Sequence, residues 1–534
     1  MSDIFSFDPI PLDNLLLKIG LKKTWASLLA TLICNSSDEY HYMLDQPFLV
    51  DAEKLESNML INLSIGEISV IYEYCVASVN VKSRKDNGQF FTPDDIASLM
   101  ASEATTFPEG KWLDPCSGIG NLSWHLVNVQ EEKEQFLINN MILSDKDPLA
   151  LDISRVIFTL SFQKNCKDLY HQIKNCFVPF DFLSVADNDS NKLFGEGQLS
   201  GIPLHDYVIV NPPYLGLKVE DLRFQTSKAK DLYAYFLENI IKTSKGFVSV
   251  TPQSFTNARK FETLRRLLIQ KYPFLKIYAF DNIPGNIFFG VKFGSTNTNT
   301  ANSIRAAITI ARLGDENKKI TSLLRWKTSE RKVLLNRLDE FLSDAHLTSE
   351  FFPKVSSTLS PLFLELKDLP NLEKILSNKK TTHVLYVPAA PRYFISALKS
   401  SVSRSSMKTL YFDSEDDLNR AYLLINSSLM YWWWRVRDGG MTLSLESLKS
   451  LPMPNFIISD DLVEDLVRSE TSNKVYKMNA GALHENVKHD RKLLLKLNSL
   501  IAPGYSDLLL LLHENSDLIQ LPKEDAQNSN KEAV

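Results

Sequence analysis

Between residues 110 and 312 the chain alternates short apolar runs with amphipathic helical stretches, and this alternation limits the fold more than any other feature. The runs are Lys111-Trp-Leu-Asp114, Met141-Ile-Leu-Ser144, Tyr207-Val-Ile-Val210, Gly246-Phe-Val-Ser-Val250 and Ile304-Arg-Ala-Ala-Ile-Thr-Ile310. Short apolar runs read as strands, and strands separated by helices predict an α/β fold with a doubly wound, mostly parallel, Rossmann-like sheet. Ligands of such sheets gather at the carboxyl ends of the strands. The residues with chemistry to offer fall at those ends.

The first of them is Leu113-Asp-Pro-Cys-Ser-Gly-Ile-Gly-Asn121, between a strand and an amphipathic helix. Gly118 and Gly120 permit a tight turn and close approach of the backbone to a ligand, while Asp114, Pro115 and Cys116 line the same loop. At the end of the next run Asp145, followed by Lys146, is suited to accept both hydroxyls of a ribose. Further on, Asp181 beside Phe182 is fit to accept from an adenine amino group and flank its ring. Each acid also has a plain structural reading, as a helix cap or a turn residue. A dinucleotide is disfavoured because the third glycine of its six-residue fingerprint is absent. S-adenosylmethionine fits better, since it carries an amino group for a carboxylate such as Asp114 and no pyrophosphate.

After Tyr207-Val-Ile-Val210 come Asn211, Pro212, Pro213 and Tyr214. The exocyclic amine of a nucleobase is a poor nucleophile because its lone pair is delocalised into the ring. Two acceptors that bind its hydrogens pull the nitrogen toward tetrahedral geometry. The Asn211 side-chain oxygen and the Pro212 carbonyl can be those acceptors, with proline fixing φ so that the carbonyl points out from the strand end. Tyr214 offers a flat face for stacking a base. The competing reading is a strand that ends in a proline turn over a packed aromatic.

Six short motifs in this order resemble the gamma class of N6-adenine DNA methyltransferases of type II restriction-modification systems, over residues 84 to 312. In that class the cofactor motifs precede Asn-Pro-Pro-Tyr and the target recognition domain comes last. Gly88-Gln-Phe-Phe-Thr-Pro93 resembles the motif that closes over the methionine part of the cofactor, which implicates Phe91, Thr92 and Pro93. Asn286-Ile-Phe-Phe-Gly-Val-Lys292 resembles the motif whose aromatic packs on the extruded adenine, which points to Phe288, with Phe289 as the other choice. The resemblance implies a class I S-adenosylmethionine-dependent catalytic domain over 86–315, and apolar spacing predicts a helical region before it at 1–85. It further implies a mixed target recognition domain over 316–456, and helical periodicity with a polar end predicts helices and a disordered tail over 457–534. Cys116-Ser117 and Lys146 depart from the family's usual residues without removing a required group.

The resemblance implies double-stranded DNA as partner, a separate cognate restriction endonuclease acting on the same site, and no metal. Phosphate neutralisation needs a basic groove in a chain whose net charge is −5. Residues 258 to 276 hold Arg259, Lys260, Arg265, Arg266, Lys271 and Lys276, and residues 388 to 412 hold Arg392, Lys399, Arg404 and Lys408. Solvated helix faces are the alternative for both. Arg435 and Arg437, ahead of Asp438-Gly-Gly440, are further contact candidates, whereas two or more of Trp432, Trp433 and Trp434 are expected in the core.

No apolar stretch reaches the ~20 residues needed to cross a bilayer, which predicts a cytoplasmic protein without a membrane partner. The five cysteines form no CxxC pair and read as reduced thiols. Three other functions remain in view: a methyltransferase for an RNA amine or a protein glutamine, a bifunctional restriction-modification enzyme, and a DNA-binding module that has lost methylation. The length of 534 residues favours a DNA-reading domain over the first.

Overall fold

In a computed structural model of the chain the described residues are 6–79, 91–184, 201–288, 292–293, 296–297, 304–391, 393–402, 404, 406–438, 440, 442–479, 482–515, 518–519 and 521. Gly88, Gln89, Phe90, Phe289, Arg392, Gly439 and residues 522–534, all belonging to segments named above, lie outside them. The chain divides into two compact units, Met1–Lys319 with Leu347–Phe351, and Ile320–His346 with Phe352–Val534. Neither unit has a boundary at 85 or 456, and residues 347–351 of the expected 316–456 region fall in the first unit.

The first unit begins with helices α1 (Ile10–Cys34), interrupted at Gly20, α2 (Ile65–Val79) and α3 (Asp94–Ala104). Strands β1 (Trp112–Asp114), β2 (Met141–Asp145), β3 (Phe177–Pro179), β4 (Tyr207–Val210), β5 (Gly246–Pro252), β6 (Phe274–Ala279) and β7 (Ala306–Arg312) follow. Among them lie α4 (Asn121–Asn128), α5 (Pro148–Phe162), α6 (Leu232–Thr243) and α7 (Glu262–Lys271). The seven strands lie in one sheet in the order β6-β7-β5-β4-β1-β2-β3. The pairs from β3 across to β5 are parallel, and β7 runs antiparallel to both β5 and β6. The α/β sheet is therefore mostly parallel.

All four residues of β4 are buried, as a central parallel strand requires. Burying each Val or Ile side chain there stabilises by about 1.5–3 kcal/mol. The strand order reverses between β1 and β4: the chain leaves β1 toward β2 and β3, then returns to the other side of β1. A crevice opens outside the strand ends at such a reversal.

α1 and α2 bury Leu12, Leu28, Ile68 and Ile71 in one core with Ile153, Val156 and Ile157 of α5. Their attachment is also polar, because the Tyr72 hydroxyl donates to Asp147 Oδ2 at 2.5 Å. Asp147 in turn caps α5 by accepting from the Leu149 amide at 3.0 Å. The first helices thus brace the helix that follows the β2 strand end.

The second unit contains a hairpin, β8 (His383–Pro388) with β9 (Met407–Phe412), and helices α8 (Glu415–Asn426) and α9 (Ser428–Arg437). Beyond them come α10 (Asp460–Ser472), a second hairpin of β10 (Lys474–Asn479) and β11 (Ala482–Val487), α11 (Arg491–Ile501) and α12 (Ser506–Glu514). Ser414, Ser427, Ser459 and Asp490 cap α8 to α11 with side-chain acceptors. Such a cap is typically worth about 1 kcal/mol to a helix. Every residue of α9 is buried, so all three tryptophans lie in the core. Among the described residues no helix is long and apolar enough to cross a membrane.

Candidate active site

Asp114 closes β1, Asp145 closes β2, and Asn211 follows β4 directly. These strands are adjacent, with Asp114 in register with Leu143 and Trp112 with Tyr207, so the three side chains share one edge of the sheet. Hydrogen bonds tie their loops together. The Cys116 thiol donates to the Asn211 carbonyl at 3.3 Å, and the Gly118 amide donates to Asp145 Oδ2 at 2.8 Å. Asn211 Nδ2 donates to Thr92 Oγ1 at 2.8 Å, while the Thr92 carbonyl accepts from Asn121 Nδ2 at 2.7 Å. Three segments far apart in sequence therefore meet at Asn211, and Asp145 joins them through the loop of Cys116 and Gly118.

Asp114 is 1% exposed and accepts from the Ser123 hydroxyl at 2.9 Å through Oδ2. Its Oδ1 is buried and accepts no hydrogen bond among the described residues. Burial pushes the carboxyl up to about 7, opposed by the Ser123 hydroxyl and the Cys116 amide and reinforced by the charge of Asp145. A buried acceptor oxygen of this kind is costly unless a donor or cation reaches it. Asp145 accepts from the Gly118 and Asp147 amides, one on each oxygen, and burial raises its pKa. Each carboxylate oxygen retains a second lone pair for a ligand hydroxyl.

Gly120 has φ +90, and a Cβ there would meet Leu143, Phe158 and Ser154 atoms at 2.8 Å. It allows the loop to close onto β2 and α5. At Gly118 (φ +53) a Cβ would meet nothing within 4 Å, so this stretch of backbone borders open space. The Gly118 amide is bonded to Asp145, so this open space lies beside the β2 strand end. The residues present fit S-adenosylmethionine: the Asp114 oxygen suits an ammonium group, the Asp145 carboxylate a ribose, and the space at Gly118 the chain between them.

The remaining expected residues are distributed unevenly around this edge. Pro93, Pro115 and Pro212 are buried, Phe91 and Pro213 half-buried, and Lys146 exposed. Asp181 is exposed and accepts from the Leu183 amide at 3.0 Å, the arrangement of a turn residue. Phe182, expected to flank an adenine, is instead 1% exposed and stacked on Phe236 at 5.4 Å between centroids, because it anchors the segment onto α6. Phe288 is likewise 1% exposed, its ring edge-on to Tyr214 at 6.2 Å, so it offers no open face for stacking as expected. Tyr214 lies between Phe288 and Tyr233, and its hydroxyl, given no role by the sequence reading, donates to the Val250 carbonyl at 2.8 Å.

The basic residues separate sharply. Arg259 and Lys260 are exposed, with Lys260 3.7 Å from Asp231, whose carboxyl burial pushes up to about 6. Arg265 is fully buried and donates to the Phe255, Ala258, Ser349 and Glu350 carbonyls, and Lys276 is paired with Glu103 at 2.7 Å. Arg435 and Arg437, expected to reach DNA, are instead 6% and 8% exposed because α9 is enclosed on all sides. Lys399 donates to Asn419 at 2.8 Å and lies over the Tyr422 ring, Arg404 donates to Asn486, and Lys408 is half-buried on β9. Ser123 and Asp231 were missed from sequence, and neither belongs to a recognisable pattern.

Residues 139–288 match the model of the Eco57I restriction-modification methylase family, a stretch that runs from β2 through the Asn211 loop to Phe288. The chain is 22% identical over 224 residues to the type II methyltransferase M.PstI of Providencia stuartii, covering 40% of this chain and 43% of that protein. It is 22% identical over 228 residues to the type II methyltransferase M.BsuBI of Bacillus subtilis, covering 38% and 41%. The matched stretch thus spans less than half the length of either curated relative. Among solved structures, a DrdV–DNA complex is similar with a TM-score of 0.43 and 14% identity, over 75% of this chain and 46% of that one. Through the segment that forms its central strand ends, the chain is similar to the methyltransferases of restriction-modification systems.

Proposed function

We propose that the chain is a site-specific DNA methyltransferase that moves a methyl group from S-adenosylmethionine to N6 of an adenine swung out of duplex DNA, within a restriction-modification system. The observation that carries this reading is the convergence of Asn211 with Asp114 and Asp145 at three adjacent strand ends. The Eco57I family match across the Asn211 loop and the type II methyltransferase relatives support it.

When bound, the cofactor supplies a sulfonium methyl whose carbon–sulfur bond breaks as the carbon–nitrogen bond forms. Asp114 holds its ammonium group and Asp145 its ribose. The Asn211 amide oxygen and the Pro212 carbonyl accept the two amino hydrogens, drawing the N6 lone pair out of conjugation with the ring. The nitrogen becomes acidic on alkylation, so its proton passes to water without a strong base. Extrusion of the base costs a few kcal/mol, and contact with Tyr214 offsets about 1–3 kcal/mol of it.

Incubation with methyl-labelled cofactor and, separately, duplex DNA, RNA and protein tests this reading, with nucleoside analysis of the labelled product. N6-methyladenine in duplex DNA is the expected product; label only in RNA or on glutamine overturns the assignment. Asn211→Ala should hold cofactor affinity within a few-fold while turnover falls by orders of magnitude. Near-normal turnover in that variant removes Asn211 from its role.

A further inference from the structure

Thr92 belongs to a segment expected to touch the cofactor, yet its side chain faces the acceptor residue. Thr92 is 5% exposed, and its Oγ1 receives the Asn211 amide nitrogen at 2.8 Å. Its own carbonyl is pinned by Asn121 Nδ2 at 2.7 Å, from the first residue of α4, and Asn121 is itself buried. The hydroxyl is therefore held in place by main-chain anchoring on the glycine-rich loop and its helix. On the other side the Cys116 thiol meets the Asn211 carbonyl at 3.3 Å.

An asparagine amide has an accepting end and a donating end that differ by a half-turn about its last torsion. Only the accepting end can bind the hydrogens of an amine. A hydroxyl can accept from the nitrogen or donate to the oxygen; here Thr92 Oγ1 accepts from Asn211 Nδ2, so the donating end of the amide is the one turned to Thr92. We propose that Thr92 is a positioning residue for Asn211, holding the amide so that its oxygen, and not its nitrogen, is turned to the substrate amine. This rests on the methyl-transfer reading and adds to it a residue acting through Asn211. The same contacts link the acceptor to two cofactor-side segments.

Thr92→Val keeps the shape of the side chain and removes its hydroxyl, whereas Thr92→Ser keeps the hydroxyl. A misoriented group near the reacting atoms costs up to about a hundredfold in rate. Thr92→Val is accordingly expected to lower kcat about ten- to a hundredfold, with the dissociation constant for S-adenosylmethionine, read by calorimetry, within threefold of wild type. Thr92→Ser should recover kcat to within about threefold. Unchanged kcat in Thr92→Val, a loss confined to cofactor affinity, or Thr92→Ser as impaired as Thr92→Val overturns the proposal. Both variants are compared by thermal unfolding, and a Thr92→Ser enzyme that folds but stays slow counts against it. Failure of the wild-type chain to methylate any amine is a separate outcome that defeats the underlying reading.

Discussion

Asp114 is a carboxylic acid in surroundings that disfavour its charge, with one oxygen on Ser123 and the other enclosed. Its pKa of about 7 lies well above the value of about 4 for an unfolded aspartate. Between those limits the folded chain binds more protons than the unfolded one. The contribution of Asp114 to stability is thus fully present below pH ~4 and is lost as pH rises through about 7. A cation on Oδ1 favours the carboxylate, so cofactor binding should expel a proton and tighten as pH rises toward 7. Calorimetry at pH 6 in two buffers of unequal ionisation enthalpy should show release of close to one proton on binding S-adenosylmethionine. Asp114→Asn should bind more weakly and without that release. Proton uptake by the wild-type chain, or an unchanged release in the variant, contradicts the role given to this oxygen.

At the scale of elements, the site depends on a loop that turns back within a few residues of β1. Gly120 makes that return possible at φ +90, against side chains of β2 and α5. Gly120→Ala meets a left-handed backbone costing about 1–2 kcal/mol and overpacking that typically costs about 1–3 kcal/mol more. Chemical denaturation should therefore show a loss of about 2–5 kcal/mol, with cofactor binding weakened in whatever remains folded; a loss below about 1 kcal/mol would show that the loop closes differently. Such loops were legible because glycines, prolines and acids mark strand ends by their own chemistry. β1, β2, β4, β5 and β7 were likewise visible as apolar runs. β3 and β6 were not, since Phe177-Val-Pro179 is short and Phe274–Ala279 carries Lys276, whose charge is matched by Glu103 far away in sequence. The same long-range information encloses Phe182 and Phe288: one-dimensional spacing identifies an aromatic beside a motif but not the Phe236 ring that covers Phe182.

For the whole molecule the useful quantity is where uncommitted positive charge lies, because a net charge of −5 opposes association with a polyanion. Sequence clusters overstate that charge. Arg265, Lys276, Arg435 and Arg437 are enclosed or paired, each stabilising its own surroundings. Arg259 and Lys260 stand exposed at the start of α7, in the same unit as Asn211, and Lys260 is only loosely held by Asp231 at 3.7 Å. If these two neutralise phosphates, each contributes about 0.9 to the slope of log affinity against log salt. Anisotropy titrations of duplex DNA between about 50 and 200 mM salt should then give a slope smaller by about 2 in an Arg259→Ala/Lys260→Ala variant. Arg435→Ala should behave in the opposite manner. It removes a buried side chain from an enclosed helix, so it should lower unfolding stability by about 1–3 kcal/mol while leaving the salt slope of the folded fraction unchanged. A wild-type slope in the double variant would move the phosphate contacts off this patch, and a reduced slope in Arg435→Ala would bring α9 to the DNA despite its burial.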